Sequence, residues 1–179
     1  SFVGQGARVG ARAVLLPQWG AKLASLLHKP PGIETLWQNP GTAYMKTGDG
    51  DPYEKAEFSG FDEMFPTTSR CYYETAPWSG IEAPDHGEVW TIPWEAEAKA
   101  DSVTLTVSGT RFPYTLSKTV SLDGEKLVAK YTAVDHSPFP LDFLWAAHPL
   151  FNAREGMRFI VPGGMSRVIN AVPWETLGG

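Results

Sequence analysis

The chain has 179 residues, 42% hydrophobic and 20% charged, with a formal net charge of −5. That composition supports a packed core and excludes wholesale disorder, and the acidic balance without any basic run excludes a nucleic-acid partner and an anionic lipid surface. The single cysteine, Cys71, cannot close an internal disulfide, no Cys/His spacing fits a metal, and no run approaches the roughly 20 apolar residues of a membrane helix, so the expectation is a cytoplasmic protein with no membrane partner.

The pattern along the chain is that of strands. Ala7 to Leu16 alternates and meets Pro17. Lys22 to His28 (KLASLLH) is apolar and closes at the turn Lys29-Pro30-Pro31-Gly32. Glu34 to Gln38 reads as a short strand. From Asn39 to Gly87 the periodicity weakens into a long stretch rich in Gly, Pro, acidic and aromatic residues. A loop of that length inside a domain is functional or disordered, and its aromatics (Tyr53, Phe58, Phe61, Phe65, Tyr72, Tyr73, Trp78) argue for order. Trp94 to Ser108 reads as a strand broken at Asp101, with Val103, Leu105 and Val107 on one face. Tyr114 to Leu122 and Lys126 to Val134 alternate around Asp123-Gly124, which predicts a hairpin. Leu141 to His148 and Arg158 to Val161 read as two further strands.

Helix signals are nearly absent, because 15 prolines and 18 glycines interrupt every run long enough for one. Short strands separated by turns predict an all-β fold, an antiparallel β-sandwich, in a single domain over residues 1–179.

Three segments carry titratable residues among large apolar ones beside Pro or Gly: GFDEMFPT (60–67), PDHGEVW (84–90) and WAAHPLFN (145–152). Composition alone names no activity for them. In this order, with the opening LLPQWGAKLASLLHKPPGIETLWQNP and the stretch from Arg111 to Phe151, they resemble the aldose 1-epimerase, or galactose mutarotase-like, family. The likeness runs from about Leu15 to Asn152, and the order of the motifs carries it more than any one of them.

The resemblance implies a sandwich that interconverts the α and β anomers of an aldose, a hexose, free or phosphorylated. A base takes the proton of the anomeric hydroxyl and an acid protonates the ring oxygen, from opposite sides of one ring; no cofactor or metal is required. It implies catalytic roles for His148, as the acid, and His86, as a second histidine near the same oxygen. Histidine suits such work because its ordinary pKa lies near working pH. Asp62 and Glu63 are candidates for accepting a sugar hydroxyl or orienting a histidine, or else turn carboxylates. Glu88 is adjacent to His86 and a candidate for orienting it, although strand alternation would separate the two. Arg111 and Arg70 are candidate hydroxyl donors or solvated arginines. Among the tryptophans, Trp78 is the expected exposed platform for a sugar face and Trp145 a core residue. His28 and His136, beside turn prolines, are expected at the surface.

The sequence departs from the family in two ways. The family's general base is a glutamate well after the catalytic histidine; here the later carboxylates Glu155 and Glu175 lack that context. The base is therefore expected outside this chain, and the sandwich is expected to need its remainder from another chain or from self-association. Upstream of His86, GFDEMFPT stands where the studied mutarotases carry an arginine- and asparagine-rich motif. A non-catalytic carbohydrate-binding or regulatory protein on the same fold is the alternative.

Overall fold

Alternation of small or branched apolar residues with hydroxyl and charged ones dictates pleated strands with one buried face. A computed structural model of the chain describes residues 2–4, 10–41, 43–124, 126–161, 163–165 and 167. Its strands, in chain order, are β1 (Phe2–Gly4), β2 (Ala11–Leu16), β3 (Lys22–His28), β4 (Ile33–Glu34), β5 (Phe61–Met64), β6 (Cys71–Tyr72), β7 (Glu82–Ala83), β8 (Glu95–Ala98), β9 (Ser102–Ser108), β10 (Tyr114–Asp123), β11 (Lys126–Asp135) and β12 (Ala146–Pro149). Among the described residues the one helical element is a 3-10 turn over Tyr53–Lys55, and no helix is long and apolar enough to cross a membrane.

All strand pairs are antiparallel. One sheet runs β1-β2-β3-β5-β12 with β4 attached to β3; a second runs β11-β10-β9-β8; β6 and β7 form a small ribbon. The two larger sheets enclose the core of a β-sandwich. Val103, Leu105 and Val107 of β9 and Tyr114, Leu116 and Val120 of β10 project inward, against Ala13, Leu15, Leu23, Leu36, Phe65 and Trp94. On the outer face of the β9–β10 pair, Thr104 meets Thr119 at 3.0 Å and Thr106 meets Ser117 at 3.1 Å. Such cross-strand hydroxyl pairs help fix the register.

Lys118 lies on the inward face of β10 between Leu116 and Val120, 2% exposed. It crosses the core to Glu63 of β5, fully buried, at 2.9 Å, and to the Ala21 carbonyl at 2.7 Å. Tyr131 of β11 donates to the same Glu63 oxygen at 2.8 Å and Trp145 Nε1 to the other at 3.1 Å. A buried charge is tolerated only when paired and hydrogen-bonded in this way.

The expected hairpin is β10–β11, in register from Tyr114↔Asp135 to Asp123↔Lys126, with Gly124 turning at φ 62°. β3 has the expected bounds, and the break at Asp101 separates β8 from β9. The first expected strand is seen as β2, from Ala11; residues 5–9 lie outside the described ones. Three expectations need correction. Of Leu141–His148 only Ala146 onward pairs, because its partner β5 ends at Met64; before that the chain hangs by the Leu144 N–H on the Pro66 carbonyl at 2.8 Å. Arg158–Val161 forms no strand: Phe159 and Ile160 are almost fully exposed and no strand lies beside them. Of the expected short strand Glu34–Gln38 only Glu34 lies in a strand, β4, while Asp62 and Glu63 sit in β5, which excludes the turn reading open for them.

Candidate functional site

β5 explains the division of labour in GFDEMFPT. Neighbours on a strand point to opposite faces, so Glu63 enters the space between the sheets while Asp62 faces away from it. Asp62 is 1% exposed, and its Oδ2 accepts from Lys22 Nζ at 2.5 Å and from the Tyr53 hydroxyl at 3.0 Å. Lys22, on β3, also meets Glu57 at 3.0 Å and the Ser59 carbonyl at 2.8 Å. Burial disfavours the Lys22 charge, but the carboxylates of Asp62 and Glu57 outweigh it and hold the ammonium above its ordinary pKa. Burial pushes Asp62 up, against the pull of Lys22 and Tyr53. Tyr53 is raised above its ordinary value, first by burial and then by Asp62, so its hydroxyl remains a neutral donor.

His148 on β12 lies directly opposite Asp62 in register. His86 arrives from the loop after β7 in a left-handed conformation, φ 59°, followed by Gly87 at φ 73°. Left-handed backbone costs a non-glycine residue about 1–2 kcal/mol, so the loop must be held by its surroundings. It is: Glu88 N–H bonds the Phe65 carbonyl at 3.0 Å, and Trp90 Nε1 bonds the Gly87 carbonyl at 3.1 Å. Asp85 accepts from His86 Nδ1 at 2.9 Å.

The result is a cluster of three rings. The centroids of His86 and His148 lie 5.1 Å apart with their planes at 70°. Tyr53 stacks on His86 at 4.2 Å and 8°, and meets His148 edge-on at 4.8 Å. His148 is half-buried, and its pKa lies below the ordinary value, first because burial disfavours the cation and then because His86 repels it; Asp62 acts in the opposite sense. His148 Nδ1 and Asp62 Oδ1 are both buried without a hydrogen-bond partner among the described residues.

The structure brings His86, His148 and Asp62 together and places the other candidates elsewhere. Glu88 is fully buried and turned away from His86. It accepts from Thr110 N at 3.1 Å, Thr110 Oγ1 at 2.5 Å, Arg111 N at 3.1 Å, Arg111 Nη1 at 3.3 Å and the Tyr114 hydroxyl at 2.8 Å. It anchors the loop between β9 and β10 and orients no histidine. Arg111 is spent on Glu88 and on a two-pronged pair with Asp49, at 2.7 and 3.0 Å. Trp78 is no exposed platform: it is 7% exposed, in the core beside Tyr73 and Phe112. Trp145, expected in the core, is 41% exposed and leans on Tyr131. Arg70 forms an exposed pair with Glu82 at 2.8 Å. His136 is exposed, as expected, and His28 half-buried.

Tyr53, Lys22, Glu57 and Asp85 enter the site without having been singled out in the sequence. Lys22 opens an otherwise apolar strand, and that mismatch was its signal; Tyr53 lies in a stretch with no periodicity to orient it. A groove of about 440 Å³ opens elsewhere, between Thr67, Tyr72, Tyr73 and Phe143, and none of the predicted site residues lines it.

No family model matches the chain, and no curated protein matches it. Among solved structures, the fold is similar to that of a protein described as a "Putative aldose 1-epimerase" from Escherichia coli K12, with a TM-score of 0.58 and 14% identity over 83% of this chain. The aligned part is 51% of that protein, so this chain spans about half its length. At that identity the likeness is one of fold.

Proposed function

We propose that this chain acts on an aldose as an aldose 1-epimerase-like protein, interconverting α and β anomers by acid–base ring opening. The observation that carries the reading is the approach of two imidazoles, from distant parts of the sequence, to a centroid distance of 5.1 Å beside a buried carboxylate. The sandwich shared with the Escherichia coli protein supports it, though fold alone does not deliver function.

In this reading His148 Nε2 gives a proton to the ring oxygen as the bond from C1 to that oxygen breaks. The anomeric hydroxyl loses its proton to a base and becomes the aldehyde carbonyl. Rotation about C1–C2 and reversal of both transfers close the ring on the other face. A lowered histidine pKa makes the imidazolium a stronger acid and leaves the neutral ring ready to take the proton back. His86, held by Asp85, would hydrogen-bond the sugar near the same oxygen. The substrate would be a hexose, free or phosphorylated, in the cytoplasm. Residues 1–179 would belong to a single domain.

The base is proposed to come from polypeptide that completes the sandwich, another chain or a second copy. Two features favour such a partner. β11 and β12 are the outer strands of their sheets, and Val134, Phe143, Leu144 and Trp145 are exposed on or beside them; apolar edges of this kind are normally covered.

Polarimetry of freshly dissolved aldoses tests the reading. The protein should accelerate mutarotation, and His148→Ala should lose about 100-fold or more of that acceleration. An unchanged optical rotation rate across several aldoses would sink it. One observation favours the carbohydrate-binding alternative: Tyr53 already packs against both rings. That alternative predicts saturable sugar binding that survives His148→Ala, with no turnover in the wild type.

A further inference from the structure

His148 and Asp62 face each other across β12 and β5, and directly opposed strand residues have Cβ atoms about 4.5–5.5 Å apart. Each carries a buried polar atom without a partner, Nδ1 on the histidine and Oδ1 on the aspartate. Buried polar atoms are nearly always paired, and a lone one calls for an explanation. Two such atoms on opposed residues, one able to donate and the other to accept, are each other's natural partner.

Which oxygen of Asp62 is available is settled by its neighbours. Lys22 and the Tyr53 hydroxyl both bind Oδ2, and Lys22 is itself fixed by Glu57 and the Ser59 carbonyl. Only Oδ1 remains. Tyr53 also fixes the ring planes on the other side, stacked on His86 and edge-on to His148. The charged and titratable groups around His148 are thus Asp62 on β5, Lys22 on β3, Tyr53 and Glu57 from the stretch before β5, and His86 from the loop after β7.

We propose that Asp62, clamped by Lys22 and Tyr53, is the positioning residue of His148: its free Oδ1 accepts the Nδ1–H of the ring and leaves Nε2 as the nitrogen that exchanges a proton with the ligand. The role given to Nε2 rests on the epimerase reading; the pairing of Nδ1 with Oδ1 stands apart from it. The nitrogen that carries the proton in a neutral imidazole is set by the hydrogen bond the other one makes. With Lys22 Nζ and the Tyr53 hydroxyl both donating to Oδ2, Asp62 offers Oδ1 as an acceptor, so the neutral ring carries its proton on Nδ1. When Nε2 is protonated as well, Asp62 stabilises the imidazolium. Without Asp62 the other tautomer would leave Nε2 already occupied and unable to take a proton back.

The test is a two-bond nitrogen–proton correlation spectrum of the histidine rings of the full chain, titrated with pH, with His148→Gln to assign the signals. In the wild type the neutral His148 should show the Nδ1–H tautomer, with Nε2 titrating. In Asp62→Asn the Nδ1–H preference should be lost and the His148 pKa should fall by about one or more, the scale of removing an adjacent opposite charge. The wild-type spectrum can overturn the proposal even if Asp62→Asn fails to fold. A neutral His148 protonated on Nε2 in the wild type would overturn the proposal, as would a folded Asp62→Asn with unaltered tautomer and titration. Neither readout depends on turnover, so a chain without epimerase activity can still show the pairing, and an active one can still lack it.

Discussion

Replacing Glu88 by glutamine separates a structural carboxylate from a site residue. The change keeps volume and removes one acceptor oxygen and the charge. Five donors converge on this group: Thr110 N and the Tyr114 hydroxyl on Oε1, and Thr110 Oγ1, Arg111 N and Arg111 Nη1 on Oε2. The less costly amide orientation places its NH2 on the Oε1 side, where the Tyr114 hydroxyl can turn and accept. The Thr110 N–H then loses its partner, a loss of about 1–3 kcal/mol for a buried donor. The three bonds left on the oxygen fall from charge-assisted to neutral strength, about 1 kcal/mol each. Relaxation of the 109–113 loop offsets part of this, and the expected destabilisation of Glu88→Gln is about 3–5 kcal/mol. For a domain of this size that is a Tm lower by about 10 °C, measurable by calorimetry and urea denaturation. Below the transition the folded variant should keep the His148 titration of the wild type, since Glu88 does not touch the ring cluster. A Tm within about 1 °C of the wild type would refute the anchoring argument. A wild-type Tm with an altered His148 titration would return Glu88 to the site.

Two further outcomes follow from the same geometry. Gly87→Ala would place a Cβ 2.1 Å from the Phe65 carbonyl oxygen at a backbone φ of 73°; neither backbone can yield, so a loss of about 3 kcal/mol or more is expected in urea denaturation, and a wild-type midpoint would count against the packing described. The lowered His148 pKa means the folded chain resists a proton that the unfolded chain accepts near its ordinary value of 6.5. The stability tied to this group is therefore present above that pH and lost as pH falls through the folded value. The drop in urea midpoint between pH 7.5 and 5.5 should shrink in His148→Gln, and an equal drop in both would refute it.

The sandwich was legible because β9, β10 and β11 alternate cleanly and Asp123-Gly124 punctuates them. The two histidines were singled out through a family pattern, and Asp62 as a carboxylate among apolar residues in GFDEMFPT, where that pattern is departed from; spacing could not join them, because no local rule links residues 62, 86 and 148. What escaped had physical reasons. Trp78 and Trp145 exchanged roles because the burial of a tryptophan is decided by which sheet covers it, and neither lies in an alternating run with a readable face. Lys22 was passed over because its one signal, a charge at the start of an apolar strand, reads equally as a solvated end. The β12 region looked longer than it is because apolar sequence cannot report that its partner strand stops at Met64.

Asp62 and Glu63 are chain neighbours that serve opposite sides of one strand, the first steadying the ring cluster and the second the stacking of the two sheets. A one-residue slip of β5 would turn each to the wrong face, and because the strand also shifts along its length, Met64 or Phe61 would then stand where one of the two lysines needs its acid. The fold therefore has a built-in proofreader of strand alignment: no shifted pairing of β5 satisfies both lysines unless both faces are right together. Insertions or deletions inside β5 should for that reason be tolerated far less than in the stretch before it.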